Sequence, residues 1–133
     1  MRPTGISPTI VVRDVTQAKE FYAAHFDARV VFDCGWYVGL MFGQDGPTIH
    51  LMQPQSPDQP EYKDGLTYNV RYADTGQVDA MHDRLSGAGL PIVMPLEDHP
   101  WGDRGFATLD PYGVAPYVYA DIEPSEEFRQ YFT

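Results

Sequence analysis

Cysteine and long apolar segments are nearly absent from this chain. Its single cysteine, Cys34, excludes an intrachain disulfide and any metal site built from several cysteines. No apolar run approaches the roughly 20 residues that cross a bilayer, and the first residues show no charged, then apolar, then small-residue leader. We therefore expect a soluble, cytoplasmic protein that does not engage a membrane.

Basic residues are also scarce. Nine Lys and Arg stand against nineteen Asp and Glu, which gives a formal net charge of −10 at pH 7. A chain with this balance repels phosphate groups, so we expect no nucleic-acid partner. The charge favours a cationic partner only weakly, because net charge of one sign also keeps a small protein soluble.

An internal repeat with a spacing of sixty residues is the most informative pattern in the chain. Asp14 is followed by Gln17, and Asp74 by Gln77, and each pair stands between an apolar run and a helical pattern. The Asp can cap the helix that follows, and a Gln three positions later completes a capping box. The sequence therefore predicts two copies of one module, and a site built between them should use equivalent residues of both.

Each copy predicts the element order βαβββ. The predicted strands lie at 8–13, 29–33, 36–42, 48–53, 66–72, 90–94, 104–109 and 114–121, and the predicted helices at 15–25 and 76–86. The fold class is then α+β, with two tandem βαβββ modules that form curved mixed sheets around a cleft and carry their helices on the outer face. A length of 133 residues fits a single domain. The predicted parts are module one at 5–53, a linker at 54–64, module two at 65–121, and a tail at 122–133 that forms a short helix or a loose end.

Two stretches carry a resemblance to a known family. The first runs from Pro8 to Val15 and continues to Glu20-Phe21-Tyr22; the second runs from Pro100-Trp101-Gly102 through Phe106-Ala107 to Asp110-Pro111-Tyr112-Gly113. Together with the duplicated βαβββ order, they resemble the vicinal oxygen chelate superfamily of glyoxalases, bleomycin resistance proteins and extradiol dioxygenases. Within it the chain resembles the bleomycin-resistance-like branch. This resemblance implies a homodimer that sequesters a cationic antibiotic without changing it.

The resemblance also implies where the metal-dependent members place their ligands, at the start of the first strand and within the fourth strand of each copy. Those positions hold Ser7, His50, Thr67 and Tyr117. Only the His50 imidazole binds zinc, iron or nickel well, and a site needs about three or four such ligands. We therefore predict no metal, no other cofactor and no catalytic residue. The remaining histidines are interpreted as structural or surface residues: His25, His82 and His99, the last in a loop.

Aromatic side chains supply the predicted site instead. Side chains alternate along a strand, so the face that does not pack on a helix should line the cleft. Flat rings stack on planar ligands and attract cations, and each contact contributes about 0.5–2 kcal/mol. For each single ring the alternative is a place in the core or in a dimer interface. The predicted ligand-binding residues are Trp36, Tyr37, His50, Met52, Thr67, Asn69, Trp101, Phe106, Tyr117 and Tyr119.

Three functions follow from these observations. The leading hypothesis is a non-enzymatic, dimeric protein that binds an aromatic, cationic antibiotic or natural product. The second is a metal-independent isomerase, cyclase or lyase that acts on an aromatic or polyketide-like substrate and uses His50 or a tyrosine as acid or base. The third is a metal-dependent lyase or dioxygenase.

Overall fold

A computed structural model of the chain describes residues 1–132 and divides the chain into two compact units. The first unit is Met1–Lys63, and the second begins at Asp64. The boundary between them falls at the end of the predicted linker, 54–64. Within residues 1–132, no helix is both long enough and apolar enough to cross a membrane.

The first unit is a four-stranded sheet with one helix. Its elements are β1 (Thr9–Val11), α1 (Val15–Phe26), β2 (Arg29–Asp33), β3 (Tyr37–Met41) and β4 (Thr48–Met52). The strands lie in the order β1-β4-β3-β2, with β1 parallel to β4 and the other pairs antiparallel. The βαβββ order predicted for this copy is confirmed.

The second unit repeats this arrangement. Its elements are β5 (Thr67–Arg71), α2 (Thr75–Gly87), β6 (Ile92–His99), β7 (Asp103–Thr108), β8 (Ala115–Asp121) and a short α3 (Glu126–Arg129). The strand order β5-β8-β7-β6 matches that of the first unit, again with one parallel pair, β5 and β8. The predicted α+β class is therefore confirmed, and the predicted tail contains a helix of four residues.

Strand β6 differs most from its prediction, because it runs to His99 where the sequence predicted an end near residue 94. Two register shifts interrupt its pairing with β7, between Ile92 and Met94 and between Met94 and Glu97. Pro95 lies inside the second irregularity, and an edge strand tolerates proline because one row of its backbone groups is unpaired. The shifts break the two-residue alternation, so the sequence pattern hid the second half of the strand.

Both helices begin at the predicted aspartates. The Asp14 carboxylate accepts hydrogen bonds from the backbone N–H groups of Thr16 and Gln17 at 3.0 and 3.3 Å, and Asp74 accepts one from Gln77 at 2.9 Å. The Gln77 side chain bonds in return to the N–H of Ala73, one residue before the cap, at 3.2 Å. Such a cap contributes about 1 kcal/mol to stability.

Each sheet has one face covered by its helix. In the first unit, the buried residues of α1 are Val15, Ala18, Tyr22 and Phe26, and those of the sheet include Ile10, Val38, Leu40, Ile49 and Leu51. In the second unit, the corresponding buried residues are Val78, Met81 and Leu85 of α2 with Phe106, Val118 and Ala120. The opposite side of each sheet, called here its helix-free face, presents the alternate residues of the same strands.

Candidate functional site

His50 lies on the helix-free face of the first sheet, opposite Gly39 on the neighbouring strand β3. A Cβ atom on Gly39 would stand 3.3 Å from His50 Nδ1, so the glycine leaves the room in which the imidazole lies. His50 Nε2 is 3.1 Å from the Thr48 hydroxyl, and the imidazole lies beside the Tyr37 ring at a centroid distance of 5.4 Å. His50 is therefore fixed on this face by one hydrogen bond and one ring contact.

Exposed aromatic rings surround Tyr37. Trp36 and Phe32 lie with their ring centroids 5.9 and 6.0 Å from that of Tyr37, and their exposed fractions are 47% and 53%. Met52 is the residue opposite Tyr37 in the β3–β4 register. The structure thus brings Tyr37, His50 and Met52 onto one face, with the Trp36 ring in contact with Tyr37, and it adds Phe32.

Phe32 was missed because strand β2 contains a bulge. Regular alternation would place Arg29, Val31 and Asp33 on one face, with Phe32 on the other. The pairing shifts between Val30 and Phe32, so Phe32 stands opposite Gly39 instead. No composition or periodicity signal in the sequence marks this bulge.

The helix-free face of the second sheet carries a pair of stacked tyrosines. Tyr117 and Tyr119 on β8 have ring centroids 5.6 Å apart and an interplanar angle of 19°. Asn69 lies beside Tyr117 in the register of the neighbouring strand β5, and Arg71 lies beside Tyr119. Thr67, also predicted, is exposed at the start of β5.

Asp103 joins three ring-bearing side chains of this unit. Its Oδ1 accepts a hydrogen bond from the Tyr117 hydroxyl at 2.6 Å, and its Oδ2 accepts one from Trp101 Nε1 at 2.8 Å. His99 Nδ1 lies 2.9 Å from the same Oδ1, and because a carboxylate only accepts, the imidazole nitrogen is the donor. Nδ1 is also 3.1 Å from the Tyr117 oxygen. We call these four residues the Asp103 network.

The network is buried at its polar centre and exposed at one ring. Asp103 and His99 are 9% and 6% exposed, whereas Trp101 is 41% exposed. The indole stacks on the imidazole with centroids 4.4 Å apart and an angle of 2°. Burial, followed by the hydrogen bond to Asp103 and the charge of that carboxylate, raises the pKa of Tyr117 well above its ordinary value. The Tyr117 phenol is therefore neutral at physiological pH.

Gly105 makes this position of Tyr117 possible. A Cβ atom on Gly105 would lie 2.7 Å from Cζ and the hydroxyl oxygen of Tyr117 and 2.7 Å from the Val118 carbonyl oxygen. Contacts this short essentially never occur for real Cβ atoms, so only glycine at this position of β7 lets the phenol pass over it and reach Asp103 on the same strand.

Two sequence predictions are corrected here. Phe106 is fully buried on the helix-covered face, with its ring edge-on to His82 of α2 at 5.1 Å, so it belongs to the core. His99, predicted in a loop, is the last residue of β6 and is hydrogen-bonded to Asp103. The sequence signal for this pair is the spacing of four between His99 and Asp103, with Trp101 midway between them.

Comparison with known proteins shows the family. A model described as the Glyoxalase/Bleomycin resistance protein/Dioxygenase superfamily matches residues 6–115, and the chain belongs to this superfamily. An uncharacterized protein of Mycobacterium bovis is 30% identical over 126 residues, which cover 82% of this chain and 78% of that protein. The predicted membership of the superfamily is confirmed, while the bleomycin-resistance-like branch stays a prediction.

Two solved structures illustrate the range of this fold. A glyoxalase/bleomycin resistance protein/dioxygenase from Nocardioides is 20% identical, with a TM-score of 0.73 over 92% of this chain and 86% of that one. The fosfomycin resistance protein FosX from Listeria monocytogenes, complexed with Mn(II) and sulfate, is 15% identical, with a TM-score of 0.71 over 98% of this chain and all of that one. Such identities show a shared fold alone.

The donor set of this chain does not fit a metal of the kind that FosX holds. His50 Nδ1 is buried against Gly39, and Nε2 is occupied by Thr48. The Tyr117 hydroxyl stays protonated and donates a hydrogen bond to Asp103. In residues 1–132, no three His, Cys, Asp or Glu side chains are grouped so that they could hold an ion. A transition metal needs about three or four ligands, and these residues do not supply them.

Proposed function

We propose that this protein binds an aromatic, cationic small molecule, such as an antibiotic or related natural product, and does not transform it. The observation that carries the proposal is the Asp103 network, in which a buried carboxylate fixes the half-exposed Trp101 ring and the Tyr117 ring. Rings that are already fixed lose little conformational entropy when a planar guest stacks on them, so little of the favourable stacking free energy is offset by ordering them. The exposed rings of Trp36 and Phe32 give the first unit a flat surface of its own.

The charge of the protein supports a cationic guest. The net charge of −10 attracts a cation over about one Debye length, roughly 8–10 Å at ordinary salt concentrations. One acid of each unit is already engaged: Asp33 pairs with Lys19 in the first unit, and Asp103 lies in its network in the second. Asp121, next but one to Tyr119 on β8, is exposed and 3.6 Å from Arg71. The attraction we propose is therefore largely that of the whole protein.

Binding is tested by calorimetric titration with bleomycin, mitomycin C and chloroquine, which represent a glycopeptide, a quinone and a quinoline-bearing cation. We expect at least one to bind, and Trp101→Ala to weaken it about tenfold, because one desolvated ring contact contributes about 1–2 kcal/mol. Tyr112→Ala, which removes a tyrosine of the β7–β8 turn, is the matched control and should leave the affinity within twofold. Failure of all three compounds to bind would count against the proposal.

A metal-independent enzyme has less support in the same geometry. A general base needs a lone pair that faces the substrate, and the nitrogens of His50 are buried against Gly39 or bonded to Thr48. Tyr117 is held neutral by its raised pKa, which makes it a poor base. Mass spectrometry of a bound guest after long incubation tests this alternative. Turnover that His50→Ala abolishes, while binding survives, would favour the enzyme.

We also propose that the protein is a homodimer. The edge strand β2 exposes Val30, Val31 and Phe32, and such apolar edges are common in subunit interfaces. Light scattering after gel filtration should give twice the chain mass of 15.0 kDa, and Phe32→Lys should lower it. A monomer at micromolar concentration would contradict this proposal. The cytoplasmic location stays a prediction that cell fractionation would test.

A further inference from the structure

Asp103 accepts hydrogen bonds from rings that reach it from three different segments. His99 ends β6, Trp101 lies in the turn before β7, and Tyr117 lies on β8. The donors are divided between the two carboxylate oxygens, with Trp101 on Oδ2 and the other two on Oδ1. The geometry of one planar group therefore sets the relative orientation of the indole and the phenol.

We propose that Asp103 is a positioning residue of the binding site, which acts on the guest only through Trp101 and Tyr117. This inference rests on the proposed function, because it assigns Asp103 a role in that same site. The burial of the carboxylate and the exposure of the indole agree with the assignment, since an anchor that is 9% exposed has little surface for a guest, whereas a ring that is 41% exposed has ample surface.

Asparagine at position 103 cannot reproduce this arrangement. A carboxylate has two accepting oxygens, while an amide has one accepting oxygen and an NH₂ group that only donates. In one orientation the amide nitrogen of Asp103→Asn faces the Trp101 N–H, which only donates, so the indole loses its hydrogen bond. In the other it faces Tyr117 and His99, and both must stop donating at this position. A ring that is released must be ordered again when a guest binds, which weakens the affinity roughly two- to tenfold per side chain.

The orientation of the indole can be followed directly by NMR. The chain has two tryptophans, so a ¹⁵N-correlated spectrum contains two indole N–H resonances, and Trp36→Phe identifies that of Trp101. We expect Asp103→Asn to shift the Trp101 resonance and to speed its exchange with solvent. Asp98→Asn is the matched control, because it also replaces a carboxylate by an amide, but at an exposed residue that pairs with Arg104. It should leave the Trp101 resonance unchanged.

The consequence for binding is measured with whichever of bleomycin, mitomycin C and chloroquine binds the unsubstituted protein most tightly. We expect Asp103→Asn to weaken the binding of that compound about two- to tenfold, in line with one released ring, and Asp98→Asn to change its affinity less than twofold. In the Tyr117→Phe background the loss on Asp103→Asn should be smaller, because one of the two rings no longer depends on the carboxylate.

The outcomes separate this role from the proposed function. An affinity that Asp103→Asn leaves unchanged, whether or not the Trp101 resonance moves, overturns the positioning role alone. An unsubstituted protein that binds none of the three compounds overturns the proposed function and this role with it. If Asp103→Asn does not fold, the test uses the unsubstituted protein. The indole N–H proton of Trp101 must then exchange with solvent more slowly than that of Trp36, and equal exchange rates overturn the proposal.

Discussion

Substitution of Gly105 by alanine tests the geometry of the Asp103 network most directly. The new methyl group would stand 2.7 Å from Cζ and the hydroxyl oxygen of Tyr117 and 2.7 Å from the Val118 carbonyl oxygen, so the phenol must move. Its 2.6 Å hydrogen bond to Asp103 is then lost. A hydrogen bond to a charged group contributes about 1.5–3 kcal/mol, and an overpacked methyl costs about 1–3 kcal/mol.

Part of this loss is offset, because alanine lowers the entropy of the unfolded chain by an amount that favours folding by about 0.4–1 kcal/mol. The expected net loss in the free energy of unfolding is therefore about 3 kcal/mol. Urea unfolding followed by far-ultraviolet circular dichroism measures it. Gly87→Ala is the control: a methyl group at this last residue of α2 meets nothing within 4 Å, so stability should be unchanged or slightly higher. Equal stability of the two variants would refute the steric argument.

Three further predictions concern single residues. The raised pKa of Tyr117 stabilises the folded state below pH 10.0, the ordinary tyrosine value, and this contribution is lost as pH rises. The stability difference between the unsubstituted protein and Tyr117→Phe in urea unfolding should thus shrink by about 1.4 kcal/mol per pH unit above 10, and a constant difference would contradict it. Gly39→Ala should cost less than about 1 kcal/mol in the same assay, because its methyl meets the His50 ring at 3.3–3.4 Å and that ring can shift; a loss above 2 kcal/mol would be unexpected. Phe106→Leu should lower stability by about 1 kcal/mol without changing guest affinity, and a weakened affinity would return Phe106 to the binding set.

The module order could be predicted because local signals agree with the final fold. Asp14 and Asp74 each precede a helical pattern, and both cap the helices that the structure contains. The apolar positions of α1 and α2 recur at spacings of three and four, as a helix with one buried face requires. Strand β6 could not be bounded in this way, because its length depends on a register with β7 that shifts twice.

The ring residues of the site could be predicted in part, but their partners could not. Tyr117 and Tyr119 follow from strand alternation on β8, a property of a short segment. The contact of Tyr117 with Asp103 depends instead on the diagonal between two strands and on the absence of a side chain at Gly105. Information of this kind arises only when the strand register is fixed, so the sequence does not distinguish Asp103 from the other acids.

The two modules place a ring at the same fourth-strand position, His50 and Tyr117, beside residues sixty apart on the first strand of each module, Thr9 and Asn69. Each ring lies over a glycine of the third strand, but in a different register: Gly39 is directly opposite His50, whereas Gly105 is opposite Tyr119 and lies diagonally beneath Tyr117. In the first, the ring bonds to a neutral hydroxyl of Thr48; in the second, it donates to a carboxylate. The resemblance to the superfamily implies that these fourth-strand positions correspond to metal-ligand positions in its metal-dependent members. A metal needs a deprotonated ligand with a free lone pair. The polar atoms of both rings are instead hydrogen-bonded to neighbouring side chains or buried against backbone. The two modules therefore share the positions of these rings without sharing metal ligands.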